Sequence, residues 1–516
     1  MTATRAYVAA PLRWSVLLLL LLLFLPPPAV RAQRRPRSGL SAYIQKEMKK
    51  WDVPGLAIAV VKDDSVIFVE GYGVLELGKP ERVNPRTIFA IGSSSKAFTA
   101  AAVAMLVDED KVKWDDPANK YLPGLQLFDP YASRELTVRD LLSHRSGLAR
   151  GDMLWYATEY DRDEILRRVR FLEPSWSFRS HFGYQNIMFL AAGQIIPAVT
   201  GRSWDDFVDE RIFTPLGMTV SNTSTLALRG QENVATPHAE IDDKIRPIAY
   251  RNIDNIAPAG SINSNVLEMT QWVRLHLNAG VYAGDTILSR EVVQEMHTPQ
   301  TIIPREGAWA TEAPESHFLT YGMGWILQDY LGRKVVQHGG NIDGMHALVG
   351  MMPEEELGVV ILTNLSNGLT YALMHRIFDA YLGAPATDWS ARLLAKSDSL
   401  EAAGEKQQRK FKEARVTGTT PSLALGKYAG TYRNEMYGDA TITIENGHLV
   451  LRRGPSFVGD LEHWHYDTFQ GVWRDPAMGK AFVTFALDAM GKAAEVEIQN
   501  LAEFERAPEE AEAATP

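Results

Sequence analysis

The sequence predicts an α+β domain with one sheet built from both ends of the domain, followed by a small all-β domain. Strand-like runs occur near the N-terminus and return beyond residue 322, with helix-like segments between them. The composition changes after Gly383, where charged residues, glutamine and alanine dominate residues 388–415. From Leu425 to Glu505, apolar and polar residues alternate in short runs separated by glycine, a pattern typical of β-strands.

The size and composition of the chain are those of a globular protein with two or three domains. It has 516 residues, of which 46% are hydrophobic and 22% are charged. The formal net charge of -10 argues against a polyanionic partner such as nucleic acid. The absence of cysteine excludes disulfides, a thiol nucleophile and cysteine-bound zinc.

Residues 1–32 have the layout of a secretory signal peptide. Arg5 and Arg13 precede an apolar run over residues 15–25, and three prolines follow the run. The run is about half of the roughly 20 residues that a membrane-spanning helix needs. Val30-Arg31-Ala32 fits the small-residue rule for cleavage before Gln33. We therefore expect a secreted or periplasmic protein with no stable membrane span.

Residues 33–385 contain the predicted elements of the first domain. Leu40 to Trp51 is amphipathic and predicts a helix, and Asp63-Asp64 between two apolar runs predicts a β-hairpin. The alanine-rich segment from Ser93 to Asp108 predicts a long buried helix. Further helices are predicted for residues 138–143, 186–199, 266–278 and 369–381, and strands for residues 56–61, 66–70, 323–328, 334–337, 347–351 and 359–363.

The C-terminal part divides into three predicted segments. Residues 386–422 form a charged linker or solvated helix, since Glu405 to Lys410 consists of charged residues and glutamine. Residues 423–506 form the β-rich domain, with period-two patterns such as Thr441 to Ile444. Residues 507–516 form a disordered tail.

Ser93-Ser94-Ser95-Lys96 supplies a candidate nucleophile and base at the start of the alanine-rich helix. A serine hydroxyl is a poor nucleophile at neutral pH and needs a nearby base. Residues i and i+3 share one helix face, so Ser93 and Lys96 can touch, whereas Ser94 and Ser95 have the wrong spacing. Burial and the helix N-terminus both lower the pKa of a lysine from about 10.4. The alternative is an N-cap serine with a surface lysine.

With this motif the chain resembles the serine β-lactamase and penicillin-binding-protein superfamily, most closely class C β-lactamases, D-stereospecific peptidases and related esterases. The resemblance covers roughly Leu40 to Gly383. It also rests on residues 137–148, on Ala259-Gly260-Ser261 and on Tyr321 to Trp325. It implies an antiparallel sheet flanked by helices, an adjoining helical lobe, and an active site between lobe and sheet.

The family's second motif, Tyr-x-Asn, matches Tyr184-Gln185-Asn186, which precedes an apolar helix. Tyr250-Arg251-Asn252 lacks a following helix, and Tyr432-Arg433-Asn434 lies in the β-rich domain, although both have the same letters. The resemblance implies that Tyr184 relays a proton to the leaving group and that Asn186 holds a substrate amide or carbonyl. A half-buried core tyrosine is the alternative for Tyr184.

The third motif, Lys-Thr-Gly in many members, is His338-Gly339-Gly340 here; His181-Phe182-Gly183 has similar letters but no preceding strand. The resemblance implies that His338 and Gly340 contact the substrate, and that the backbone N–H groups of Ser93 and Asn341 form an oxyanion hole. A strand-end histidine without substrate contact is the alternative. β-Lactamases bind the drug's carboxylate with a cationic residue, and His338 is mostly neutral at pH 7, which favours an esterase or peptidase.

We therefore predict a serine hydrolase that cleaves a small-molecule ester, amide or peptide through an acyl-enzyme on Ser93. A β-lactamase and a non-catalytic penicillin-recognising sensor remain as alternatives. We expect no metal and no cofactor, because His463 and His465 are the best metal candidates and lack a carboxylate cluster. The β-rich domain resembles modules found behind such hydrolases, and covering the cleft or mediating a homo-oligomer are its candidate roles.

Overall fold

The computed structural model describes residues 39–148, 150–307, 309 and 315–508. The predicted signal peptide at residues 1–32 and most of the predicted C-terminal tail lie outside the described residues.

The longer helices are α1 (Leu40–Lys50), α2 (Ser95–Asp108), α3 (Asn186–Thr200), α4 (Val266–Leu277), α5 (Leu369–Leu382) and α6 (Trp389–Glu413). Shorter α-helices span Pro130–Glu135, Val138–Leu141, Arg162–Arg168, Trp204–Val208, Thr214–Leu216, Ala257–Gly260 and Arg290–Met296. Helices α3 and α5 end at Gly201 and Gly383, whose φ angles of 73° and 65° give the left-handed conformation that closes a helix.

An eight-stranded antiparallel sheet forms the centre of the first domain. Its strands are β1 (Gly55–Lys62), β2 (Ser65–Gly73), β3 (Thr301–Ile302), β4 (Leu319–Tyr321), β5 (Ile326–Tyr330), β6 (Arg333–Ile342), β7 (Met345–Met352) and β8 (Leu357–Thr363). Their spatial order is β2-β1-β8-β7-β6-β5-β4-β3, and Leu56 of β1 lies opposite Thr363 of β8. The prediction of one sheet built from both ends of the domain is confirmed.

Strand β1 is buried along its length because helices cover both faces of the sheet. Ala57 and Ala59 face the core that contains α2, α3 and α4, whereas Leu56 and Ile58 face the core that contains α1 and α5. This explains why β1 is a continuous apolar run rather than an alternating one. The predicted hairpin turn at Asp63-Asp64 has φ angles of 51° and 55°, as a two-residue turn of type I′ requires.

Three predicted boundaries differ from the structure. The strand expected at residues 323–328 begins only at Ile326, as β5, because Gly324 (φ 75°) turns the chain against α2, where a Cβ atom would lie 2.8 Å from the Lys96 carbonyl oxygen. Strand β4 lies before this range and was not predicted. The strand expected to end at Gln337 continues to Ile342, which pairs with Met345. The regular helix starts at Ser95, because residues 92–94 form a 3₁₀ turn.

The C-terminal domain is a closed barrel of eight antiparallel strands, which confirms the prediction of a small all-β domain. The strands are β9 (Gly430–Asn434), β10 (Gly438–Glu445), β11 (His448–Arg453), β12 (Phe457–His465), β13 (Thr468–Trp473), β14 (Lys480–Leu487), β15 (Ala493–Ile498) and β16 (Ala502–Arg506). Alternate side chains such as Tyr432, Phe469 and Phe485 fill its interior. Helix α6 precedes the barrel, and its buried residues all lie within its first turn and a half.

The barrel packs against the helical lobe of the first domain. Met153, Tyr156 and Ala157 of the lobe contact the barrel core, and Met436 of the barrel belongs to the core of the first domain. The two domains therefore share an apolar contact next to the segment that begins at residue 152.

Candidate active site

Ser93 and Lys96 meet where β6 passes the start of α2. The 3₁₀ turn Gly92–Ser94 leads into the helix, so the two side chains lie on one face at the i, i+3 spacing. Lys96 Nζ lies 3.0 Å from Ser93 Oγ, and the lysine is fully buried. The structure thus brings the predicted nucleophile and base into hydrogen-bond contact, and the surface-lysine alternative is wrong.

The surroundings of Lys96 favour a neutral amine. Burial, followed by the positive charge of Arg150, lowers the pKa of Lys96 well below its ordinary value, and Asp152 acts in the opposite direction. Lys96 Nζ also donates to Asn186 Oδ1 at 2.7 Å and to the Ala259 carbonyl oxygen at 2.8 Å. A neutral amine has only two N–H groups, so donation to these two acceptors would leave its lone pair available to the Ser93 hydroxyl.

Tyr184 packs beside the amine. The centroid of its ring is 4.9 Å from Lys96 Nζ, and the ring of the buried His144 lies 4.3 Å away on centroids. His144 Nδ1 accepts a hydrogen bond from the Gln185 backbone N–H at 3.0 Å, which holds the second motif in place. The other two Tyr-x-Asn matches lie elsewhere: Tyr250 donates to the Ala235 carbonyl, and Tyr432 lies inside the barrel.

Asn186 has both ends of its amide engaged. While Oδ1 accepts from Lys96, Nδ2 donates to Asp152 Oδ1 at 2.8 Å. Asp152 also accepts from Trp155 Nε1 at 2.9 Å and forms an ion pair with Arg150. Sequence reasoning did not single out Asp152 or Arg150. The signal that could have found them is a charged Arg-Gly-Asp loop directly after the family-like stretch at residues 137–148.

The third motif lies within β6, where the strand contacts the 3₁₀ turn Gly92–Ser94 that carries Ser93. A Cβ atom on Gly340 would lie 1.9 Å from the Ile91 carbonyl oxygen and 2.8 Å from the Ser93 nitrogen. A Cβ atom on Gly92 would lie 2.8 Å from the Asn341 nitrogen. Glycine at both positions therefore allows the two backbone segments that carry the Ser93 and Asn341 amides to pack directly together.

His338 is placed differently from the sequence expectation of substrate contact. Its side chain is 2% exposed and is not among the residues that line the cavity at Ser93. Nδ1 lies 2.6 Å from the Gly339 carbonyl oxygen and Nε2 lies 2.9 Å from the Tyr321 hydroxyl. A neutral ring with its proton on Nδ1 satisfies both contacts, and burial lowers the pKa of His338 to about 3. The geometry therefore gives no support for direct contact between this side chain and substrate.

A cavity of about 300 Å³ opens onto Ser93. Among the predicted residues, Ser93, Asn186 and Asn341 line it, whereas Lys96, Tyr184, His338 and Gly340 are not lining residues. Five polar residues that sequence reasoning missed also line the cavity: Arg150, Asp152, Tyr156, Asp343 and Ser366. Hollows of about 1170 Å³ and 830 Å³ occur elsewhere on the protein, but Ser93 lines neither of them.

In the part of the chain that the structure describes, no cluster of three or more histidine, aspartate or glutamate side chains is arranged to hold a metal ion. In the same residues, no helix has both the length and the apolar character that crossing a bilayer requires.

Two family models match the chain. One, described as Beta-lactamase, matches residues 40–384, and the other, a domain of unknown function (DUF3471), matches residues 414–514. Unguisins hydrolase ungD of Aspergillus violaceofuscus is 29% identical over 78% of this chain and 76% of its own length. Penicillin-binding protein 4 of Amycolatopsis lactamdurans is 29% identical over 64% of this chain and 85% of its own.

Solved structures show the same fold. The octameric penicillin-binding protein homologue from Pyrococcus abyssi superimposes with a TM-score of 0.59 at 22% identity, covering 90% of this chain and 98% of its own. The D-amino acid amidase from Ochrobactrum anthropi SV3 has a TM-score of 0.57 at 20% identity, covering 67% of this chain and 98% of its own. The first of these likenesses extends over both domains.

Proposed function

This chain is a serine hydrolase that belongs to the beta-lactamase family, and on that premise we propose that it cleaves a small ester or amide through an acyl-enzyme on Ser93. The observation that carries the proposal is the 3.0 Å contact between Ser93 Oγ and Lys96 Nζ, made inside a buried site that disfavours the charged amine. A neutral lysine is a competent general base, which a serine hydroxyl needs in order to attack.

Acylation starts when Ser93 Oγ attacks the substrate carbonyl carbon and its proton passes to Lys96 Nζ. The carbonyl oxygen becomes an oxyanion, which the backbone N–H groups of Ser93 and Asn341 stabilise. As the intermediate collapses, the bond to the leaving alcohol or amine breaks, and the proton on Lys96 reaches that group through Tyr184. Water then attacks the acyl-enzyme, with Tyr184 and Lys96 taking its proton, and the acid and free Ser93 are released.

The substrate class is an ester, amide or peptide of small size. Two similar proteins carry names of this kind, an unguisins hydrolase and a D-amino acid amidase. The cavity of about 300 Å³ is at the lower end of the range for small-molecule sites. Asn186 and Arg150 provide a polar wall for a substrate amide or carbonyl group.

A β-lactamase is the second candidate, and Arg150 favours it. The sequence argument against this activity was that His338 offers no positive charge for a carboxylate. Arg150 lines the cavity and its side chain is 65% exposed, so a cation is present from a different part of the chain. A penicillin-recognising sensor would share this geometry and would differ by stopping at the acyl-enzyme.

A substrate screen tests these candidates. Nitrophenyl esters, D-amino-acid amides and nitrocefin are compared for steady-state turnover, and a fluorophosphonate identifies the acylated residue by peptide mapping. We expect turnover of an ester or amide and labelling at Ser93. Fast nitrocefin turnover without ester or amide hydrolysis would indicate the β-lactamase, and labelling without turnover would indicate the sensor.

We also propose that the protein is exported and forms a homo-oligomer. The charged, apolar and small-residue layout of residues 1–32 supports export. The octameric relative from Pyrococcus abyssi, whose likeness includes the barrel, supports self-association. Light scattering of the purified protein measures the mass, and a monomer at micromolar concentration would contradict the oligomer.

A further inference from the structure

We propose that the C-terminal barrel shapes the substrate site without lining it, because two of its residues, Arg453 and Asp475, hold two walls of the catalytic cavity in position. This inference rests on the proposed function, since the cavity is the one that opens onto Ser93. It assigns the two residues a positioning role, in which neither touches the reacting atoms.

The first attachment is made by Arg453, at the end of β11. Its side chain is 4% exposed, and Nη1 and Nη2 donate to the Met153 carbonyl oxygen at 3.2 and 2.5 Å. The guanidinium lies 5.6 and 5.3 Å from the centroids of the Tyr437 and Phe457 rings. Burial lowers the pKa of Arg453 to about 10, because this environment solvates the charged guanidinium less well than water does.

Met153 directly follows Asp152 in the 3₁₀ turn Asp152–Leu154. Asp152 lines the cavity and holds Nδ2 of Asn186. A buried barrel arginine is therefore bound to the backbone next to the carboxylate that orients Asn186. Burying a guanidinium is costly, and here it fixes one segment of the cavity wall.

The second attachment runs from Asp475, in the connection between β13 and β14. Asp475 accepts from Arg251 Nη2 at 2.8 Å, and Arg251 Nε donates to Asp343. Asp343 accepts from the Tyr156 hydroxyl at 2.8 Å, and the Arg251 guanidinium lies 4.6 Å from the centroid of the Tyr156 ring. Since Asp343 and Tyr156 both line the cavity, the barrel carboxylate fixes a second wall through Arg251.

The two walls line the cavity next to the Ser93 and Lys96 pair. In this proposal they contact the part of the substrate that extends away from the reacting carbonyl group. Loss of a barrel attachment should loosen them without removing the nucleophile or its base. We therefore expect the barrel variants to change the preference for large over small substrates, mainly through KM.

Asp475→Asn is the first test, and Asp460→Asn is its matched control. Both aspartate side chains are 36% exposed, and both accept from an arginine Nη2 at 2.8 Å, but Asp460 pairs within the barrel with Arg474. Asparagine also preserves the cap that Asp475 forms for Ala477, so the local turn is kept. Arg453→Lys tests the other attachment.

Two readouts are compared with those of wild type. We expect Asp475→Asn to change the ratio of kcat/KM for nitrophenyl octanoate to that for nitrophenyl acetate by about fivefold or more, largely through KM, and Asp475→Glu to restore most of it. Asp460→Asn should leave the ratio within about twofold. Hydrogen exchange should accelerate at residues 341–346 in Asp475→Asn and at residues 152–157 in Arg453→Lys.

The exchange measurement is independent of the chemistry at Ser93. Unchanged exchange in both barrel variants, with a substrate ratio equal to that of Asp460→Asn, would overturn the positioning role. Failure of the fluorophosphonate to label Ser93 in wild type would instead overturn the proposed function, while accelerated exchange would still support the barrel attachments.

Discussion

Lys96 Nζ lies 2.7 Å from Asn186 Oδ1 and 3.0 Å from Ser93 Oγ, so the amine is held between the second motif and the nucleophile. Asp152 holds the other end of the same amide at 2.8 Å. This chain of contacts fixes which atom of Asn186 faces the lysine, because an amide turned by 180° would place an NH₂ group against Nζ. It connects the surface of the cavity to the buried base.

Ser93→Ala should abolish labelling by a fluorophosphonate and lower kcat/KM by about 10³-fold or more, because nucleophile and base act as a unit. The melting temperature should stay within about 2 °C of wild type, since only one hydroxyl is removed. Ser94→Ala is the control: the Ser94 hydroxyl donates to the His338 carbonyl oxygen at 3.1 Å, and this variant should still be labelled. The assignment would be refuted if Ser94→Ala lost the label while Ser93→Ala was still labelled.

Lys96→Met should change how stability depends on pH. Burial holds the folded-state pKa of Lys96 well below the unfolded value of about 10.4. Between these two values the unfolded chain binds a proton that the folded protein does not, so this group makes stability rise with pH, by up to about 1.4 kcal/mol per unit. The free energy of unfolding of wild type, measured with urea, should increase relative to that of Lys96→Met between pH 7 and pH 9. A constant difference between the two free energies would mean that the pKa of Lys96 is not depressed.

Arg150→Gln and Asp152→Asn should shift the acid limb of the kcat/KM profile in opposite directions. Arg150 lowers the pKa of Lys96 and Asp152 raises it. Removal of the arginine charge should therefore move the limb to higher pH, and removal of the carboxylate charge should move it to lower pH. Solvent screens the partly exposed Arg150, so its shift should be modest and should shrink further at high salt. Shifts in the same direction would show that the limb belongs to another group.

His338→Lys should destabilise the protein by several kcal/mol, because it places an ammonium group in a site where the native side chain is 2% exposed. His338→Gln, which stays neutral, should cost less. Since the pKa of His338 is lowered to about 3, the ratio of nitrocefin to neutral ester kcat/KM in wild type should show no inflection near pH 6.5. If wild type shows an inflection near pH 6.5 and His338→Gln does not, the His338 side chain would contact the substrate.

Protein secreted or exported by the native host should begin at Gln33. The prediction rests on the apolar run at residues 15–25 and on Ala32 as the small residue before the cut. N-terminal sequencing of protein from that host measures the start directly. Mature protein that still begins at Met1 would contradict the export proposal.

The sequence by itself determined the elements whose physical causes are local. The period of apolar residues marks α1, α3 and α4, the Asp63-Asp64 pair marks the β1–β2 turn, and alternation after Leu425 marks the barrel strands. The i, i+3 spacing of Ser93 and Lys96 is also local, so their contact follows once the helix begins near Ser93. The second motif, at Tyr184 and Asn186, was identified from the resemblance to the family and not from residue spacing.

The tertiary structure alone decided which groups surround the pair. Asp152 orients Asn186 across 34 positions of the chain, and Asp475 reaches Arg251 across 224, so no periodicity in the sequence reports either contact. The burial of His338 depends on Tyr321 from β4 and on the packing of β6 against the 3₁₀ turn Gly92–Ser94. Contacts of this kind form when sheet order and domain docking bring distant segments together, and they set the pKa of Lys96 and the walls of its cavity.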